Sequence, residues 1–261
     1  MSLNSSLTPT QIRDLCRQEQ FSSPTPGLAS GYVQANLIIL PKSAAFNFLL
    51  FCHRNPKPCP LLDVTEVGDP EPRKVAPGAD LRTDLPRYHV FRQGQLVEEV
   101  TNIKQFWRDD FVAFLIGCSY SFEAAMLSAD LPVRHIEENK NVPMYITNQA
   151  CLSAGIFSGP LVVSMRPLSP TDAIKAVQVT SRFPQAHGAP VHLGDPSAIG
   201  ILDINRPEFG DAVTIRSGEL AVFWACGVTT QMAILQAKPE IAISHAPGHM
   251  FITDVKDESF S

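Results

Sequence analysis

Four of the chain's seven histidines fall in two short segments braced by proline and glycine. The first reads His187-Gly-Ala-Pro-Val-His192-Leu-Gly-Asp195-Pro196, and the second His245-Ala-Pro-Gly-His249. Proline fixes backbone angles and glycine reaches angles that other residues avoid. Imidazoles on such a framework can be held in set directions, and they titrate near neutral pH. Three uses compete. One is acid–base or substrate-binding work by His187, His192, His245 and His249. Another is a metal site, with Asp195 adding an oxygen ligand for zinc or manganese. The third is capping of strand ends through bonds to nearby backbone. His245 and His249 span Pro247-Gly248, so they are not two ligands on one helix face, and the HExxH pattern is absent. The expectation is therefore no cofactor, with a divalent metal as the alternative.

Three further groups could carry chemistry. Trp224-Ala-Cys226-Gly227-Val-Thr229-Thr230 reads as a strand, a small turn and a helix start. Free N–H groups there would favour an anion, so Gly227 and Thr229 are candidate substrate contacts. Cys226 would sit where a thiolate is stabilised; the plain alternative is a capped turn with a buried small residue. Gly117-Cys-Ser119-Tyr-Ser-Phe-Glu123 offers a thiol, two hydroxyls and a carboxylate at another helix start, and Ser119 is its candidate contact. Among the arginines, Arg166 follows a buried apolar run and Arg182 precedes the first histidine segment. Either is a candidate clamp for a carboxylate.

The elements that must position these groups are short. Proline occurs 22 times, mostly at element boundaries, which predicts stiff ordered turns. Thr8-Pro9-Thr10-Gln11 marks a helix start, and Gly31 to Leu40 reads as extended. A helix from Ser43 to about Cys52 precedes a long ordered loop over 63–87. Tyr88–Phe91 and Gln95–Val100 form a hairpin. Ile103, Phe106, Trp107, Phe111, Phe114 and Leu115 recur at helical spacing, so a helix is expected from Thr101 to Gly117, and another from Phe122 to about Ala129. Beyond residue 160, strands are expected at 160–165, 190–193, 198–204, 212–215, 220–225, 241–244 and 250–254. Helices are expected at 172–182 and from Thr229 to about Ala237. Residues 255–261 read as a loose tail. The chain divides into a helix-rich part, 1–150, and a strand-rich part, 151–261, of α/β class with α+β character.

Hydrophobic residues make up 44% and charged residues 18%, the balance of a globular chain with a full core. The net charge of −5 and the lack of a Lys/Arg cluster argue against nucleic acid. No apolar run approaches the ~20 residues of a membrane span, and the N-terminus lacks a signal-peptide pattern. A soluble cytoplasmic protein is expected, with a homodimer as the common assembly. The six cysteines form no CxxC pair, so neither a disulfide framework nor a zinc cluster is indicated.

Several segments together carry a resemblance. They are Gly31-Tyr-Val-Gln-Ala-Asn36, Asn55-Pro-Lys-Pro-Cys-Pro60, Asp80-Leu-Arg-Thr-Asp84, Gly117-Cys-Ser119, Asn141-Val-Pro-Met-Tyr145, Gly159-Pro-Leu-Val-Val-Ser-Met-Arg-Pro167, Arg182-Phe-Pro184, His187 to His192, Gly194-Asp-Pro196, Phe223 to Thr229 and His245 to His249. In this order they resemble the bacterial hydro-lyase family that shares its domain with the mitochondrial D-glutamate cyclase. The resemblance runs from about residue 20 to 255. It implies two interlocked α/β units with mixed sheets, and a carbon–oxygen lyase that removes or adds water. In the cyclase, the amine of D-glutamate closes on its own side-chain carboxyl. That reaction needs a base, oxyanion donors, an acid and a carboxylate clamp. The residues matched to those needs are the four histidines, the Cys226–Thr229 turn, and Arg166 or Arg182. A metal-assisted amide or lactam hydrolase and a non-catalytic small-acid binder remain alternatives.

Overall fold

The computed structural model describes residues 7–260. It contains α1 (Pro9–Arg17), β1 (Tyr32–Pro41), α2 (Lys42–Arg54), β2 (Leu61–Val64), β3 (Tyr88–Arg92), β4 (Gln95–Val100), β5 (Phe111–Gly117), α3 (Tyr120–Ser128) and α4 (Arg134–Glu137). There follow β6 (Met144–Ala150), β7 (Pro160–Leu168), α5 (Pro170–Thr180), β8 (His192–Leu193), β9 (Leu220–Ala225), α6 (Thr229–Ala237), β10 (Ala242–His245) and β11 (Phe251–Lys256). Among the described residues no helix is long and apolar enough to cross a membrane.

Two sheets organise these elements. The first has the order β2-β5-β1-β10-β3-β4, with β11 also pairing β1. β10 takes the Ile38–Ile39 end of β1 and β11 the Tyr32–Ala35 end. Its strands thus come from both ends of the chain. The second sheet, β6-β7-β9-β8, comes from the middle. The α/β class with α+β character holds, but the expected mixed sheets are antiparallel in every strand pairing among the described residues. The reason is connectivity: the helices do not return the chain beside the preceding strand in the same direction, as a parallel pair requires.

β1 shows why the first sheet is stable. Val33, Ala35, Leu37 and Ile39 enter one apolar cluster, while Ile38 and Leu40 enter the cluster on the opposite face. Both faces are covered, so a central strand reads as a continuous apolar run. β5 is the same case. All seven of its residues are buried, in a segment where helical spacing had suggested a helix from Thr101 to Gly117. Ile103, Phe106 and Trp107 instead belong to a short 3-10 turn and its flanks. The expected strands at 198–204 and 212–215 are irregular or 3-10 backbone; in the first, Pro196 and Gly200 build a capped turn. The expected loose tail is the end of β11 and a 3-10 turn, Asp257–Phe260; residue 261 lies outside the described residues.

Candidate active site

The two sheets meet along a seam lined by Cys118, Tyr120, Val142, Met144, Val162, Cys226, Val228 and Met250. The hub is the turn from β5 into α3, residues 117–123. Gly117 is required there because a Cβ would fall on the Gln185 carbonyl, two residues before His187. From the other side, Gly248 packs against the Asn141 amide, and Asn141 Oδ1 accepts from the Tyr120 hydroxyl at 2.7 Å. The two histidine segments therefore converge on one hub through their backbones.

Their rings do not converge. His187 is buried with a left-handed backbone, and its Nδ1 lies 2.9 Å from the Lys57 carbonyl. His245 Nδ1 lies 3.2 Å from Leu37 N and 3.3 Å from Leu37 O, within the strand ladder. Burial lowers each of these two pKa values to about 4, leaving both rings neutral at pH 7. His249 Nδ1 bonds the Pro247 carbonyl at 2.9 Å. His192 Nε2 meets the Asp195 carbonyl at 2.7 Å, while the Asp195 carboxylate accepts from Ser197 N and Oγ at 2.9 and 2.8 Å. Among the described residues no group of three or more His, Cys, Asp or Glu side chains could hold a metal ion. The donor set of His187, His192, Asp195 and His245 or His249 is not assembled.

The Cys226 turn also differs from its expected chemistry. Burial pushes the thiol up to about 11, against the lowering effect of the Val228 N–H, Arg166 and the Gly227 N–H. The N–H groups that might have held a thiolate or an oxyanion thus face a neutral sulfur, which contacts Met144 Sδ at 3.5 Å. Desolvation outweighs the turn. Gly227 leaves room for the Asn36 amide, and Thr229 Oγ1 accepts from Val162 N at 3.0 Å. The first contact joins the turn to β1 of the first sheet, and the second joins α6 to β7 of the second.

Arg166 and Ser119 are brought together, around a residue that spacing alone did not select. Arg166, 0% exposed, donates through Nη2 to Ser119 Oγ at 3.1 Å and to Glu123 Oε1 at 2.5 Å. Its Nη1 donates to Ser164 Oγ at 3.2 Å. The guanidinium sits 5.2 Å from the Phe122 ring centre and 5.3 Å from that of Trp224. Its Nε is buried without a partner among the described residues. His135 Nε2 stands 3.1 Å from the same Glu123 oxygen, a close polar contact but off the line of a hydrogen bond. Burial alone would raise the Glu123 pKa; the charges of His135 and Arg166, with their polar contacts, reverse this and hold it at about 2. Glu123 is therefore an ionised carboxylate at 3% exposure.

Glu123, Tyr120 and Gln34 border a small recess of about 50 Å³, lined on its other side by residues 27–32 and Asp257. An outer cleft of about 510 Å³ adjoins it and shares Ser30, Gly31, Ala124 and Asp257. Arg182 is on the outer wall. Glu123 was visible as the carboxylate of the 117–123 segment. His135 and Asp257 gave no signal: one is a lone histidine beside an arginine, the other lies in a stretch that reads as a tail.

A family profile described as D-glutamate cyclase matches residues 112–254, more than half of the chain. A Thermoanaerobacter protein described as "Putative hydro-lyase" is 62% identical over 252 residues, covering 97% of this chain and 95% of that one. A Geobacillus kaustophilus protein of the same description is 59% identical, covering 99% and 98%. One from Bacillus subtilis is 56% identical, covering 98% and 99%. The profile's span takes in the hub, Glu123, His135, Arg166 and both histidine segments, and the chain belongs to the D-glutamate cyclase family.

Proposed function

We propose that this lyase closes D-glutamate to 5-oxo-D-proline with release of water, at the inner cavity bordered by Glu123. The observation that carries the reading is a buried carboxylate, held anionic by His135 and Arg166, on a residue that lines a small recess of about 50 Å³. That space suits one small polar group, since a water molecule's share of liquid is about 30 Å³. The side-chain carboxyl of the substrate would occupy it. Two carboxylates sharing a site cannot both stay ionised at low cost, and Glu123 is fixed as the charged one. The substrate's carboxyl is thereby kept protonated, the form that can lose water. The amine lone pair attacks the carboxyl carbon, the C–N bond forms and the C–O bond breaks. Of the two protons shed by the ammonium, one joins the departing hydroxyl, which leaves as water, and the other passes through the acid–base residue to solvent.

His135, in contact with Glu123, is the acid–base residue of this scheme. The Ser30 and Gly31 amides donate no hydrogen bond among the described residues and border the same space, so they would supply the oxyanion donors. The test is chiral product analysis with D-glutamate and purified protein. Wild type should form 5-oxo-D-proline, and a folded Glu123→Gln variant should be slower by about 10²–10⁴-fold. Absence of product above the uncatalysed rate, or a variant as fast as wild type, would overturn the proposal.

A further inference from the structure

The outer cleft carries charges of both signs. Arg182 lies just beyond α5 and its side chain makes no hydrogen bond or ion pair among the described residues. Asp257 opens the terminal 3-10 turn, and its N–H donates to the Gly31 carbonyl at 3.1 Å, which fixes that turn beside the cavity wall. The 184–186 turn that follows Arg182 packs against residues 257–260. No ion pair joins Arg182 to Asp257 among the described residues, so neither charge cancels the other across the cleft. Arg182 lines the outer space alone, whereas Asp257 lines both the outer and the inner space. Glu258 adds a second carboxylate to the outer wall. Lys256 is turned away onto the Tyr32 ring, 3.8 Å from its centre.

We propose that Arg182 and Asp257 form a clamp for the zwitterion of an α-amino acid, Arg182 taking the α-carboxylate and Asp257 the ammonium. This rests on the reading that the inner cavity is the reaction site, because it sends the side-chain carboxyl inward past Asp257. The division fits the chemistry of each group. A guanidinium fork matches a carboxylate. A carboxylate that lines both spaces holds the ammonium next to the carboxyl that it must attack. Burial raises the Asp257 pKa, which makes it a better acceptor for the first proton the ammonium gives up.

The clamp is tested by calorimetric titration of three ligands: D-glutamate, glutarate, which lacks the ammonium, and 4-aminobutyrate, which lacks the α-carboxylate. Wild type should prefer D-glutamate to each of the others by about tenfold or more. Arg182→Met should erase the preference over 4-aminobutyrate, and Asp257→Asn the preference over glutarate. Equal binding of all three ligands by wild type, no binding of D-glutamate, or unchanged preferences in both variants would overturn the clamp. Selective binding without formation of 5-oxo-D-proline would leave the clamp standing and refute the proposed reaction instead.

Discussion

Glu123 is the residue on which the site turns, and its ionised state has a structural cost. Arg166 is buried between two aromatic rings and has this carboxylate as its counter-charge. Breaking a buried pair by removing one partner leaves an uncompensated charge in the core, at about 3–5 kcal/mol. Glu123→Gln should lose that much in urea denaturation. A Glu123→Gln/Arg166→Met double variant should recover most of it. A double variant no more stable than the single would show that the two groups are not an energetic unit. Arg166 and Ser119 were legible because an arginine beside a buried apolar run and a helix-start hydroxyl are recognisable alone. His135 was not legible. Its importance depends on α4 placing it against Glu123, 12 residues earlier in the chain, and nothing in its own neighbourhood encodes that contact. The histidine segments were legible as rigid turns, but the fold turns all four rings onto backbone groups, with His187 and His245 buried, and such contacts are not visible in spacing.

At the scale of elements, glycine decides how closely the two sheets approach. At Gly117 a Cβ would collide with a backbone carbonyl, and at Gly227 with the end of the Asn36 side chain. A carbonyl in a braced turn cannot move aside, whereas an amide can rotate. Asn36 would still have to give up its 2.8 Å bond to the Gly117 carbonyl. Gly117→Ala should therefore cost more than Gly227→Ala, with the latter at about 1–3 kcal/mol. Thermal melts of the two variants decide the order, and equal losses would contradict it. The elements themselves were largely legible where a local signal marks them. The Thr8–Gln11 capping box, the Gly94 hairpin and the α2, α5 and α6 helices stand as expected. β5 was misread because a strand buried on both faces has no alternation, and upstream aromatics supplied an accidental helical spacing. β6 was missed because its last residues, Asn148–Ala150, are polar or small and exposed.

The whole molecule buries three titratable groups at separate places, and all three make stability fall in acid. His187 and His245 have folded pKa values of about 4 against an ordinary 6.5. Between these values the unfolded chain binds protons that the folded chain refuses, so stability is full above pH 6.5 and declines as pH falls toward 4. Glu123 has a folded pKa of about 2 against an ordinary 4.5. Its contribution is present above 4.5 and is lost as pH falls through 2. The losses thus run in sequence, the histidines first and the carboxylate second. Each group contributes a slope of up to about 1.4 kcal/mol per pH unit within its window. Denaturant titrations from pH 8 to pH 3 should show a plateau above 6.5 and a decline below it. His187→Asn and His245→Asn should each remove up to about 1.4 kcal/mol per pH unit of slope between 6.5 and 4. Wild-type slopes in both variants would mean that the rings are not held neutral in the folded protein. Turnover has a different dependence, because the proposed chemistry needs Glu123 ionised and not either buried ring. Where the fold survives, product formation should pass through the histidine window without a break assignable to His187 or His245. A rate profile that moves with His245→Asn, once corrected for the folded fraction, would return His245 to the chemistry and displace Glu123 from its centre.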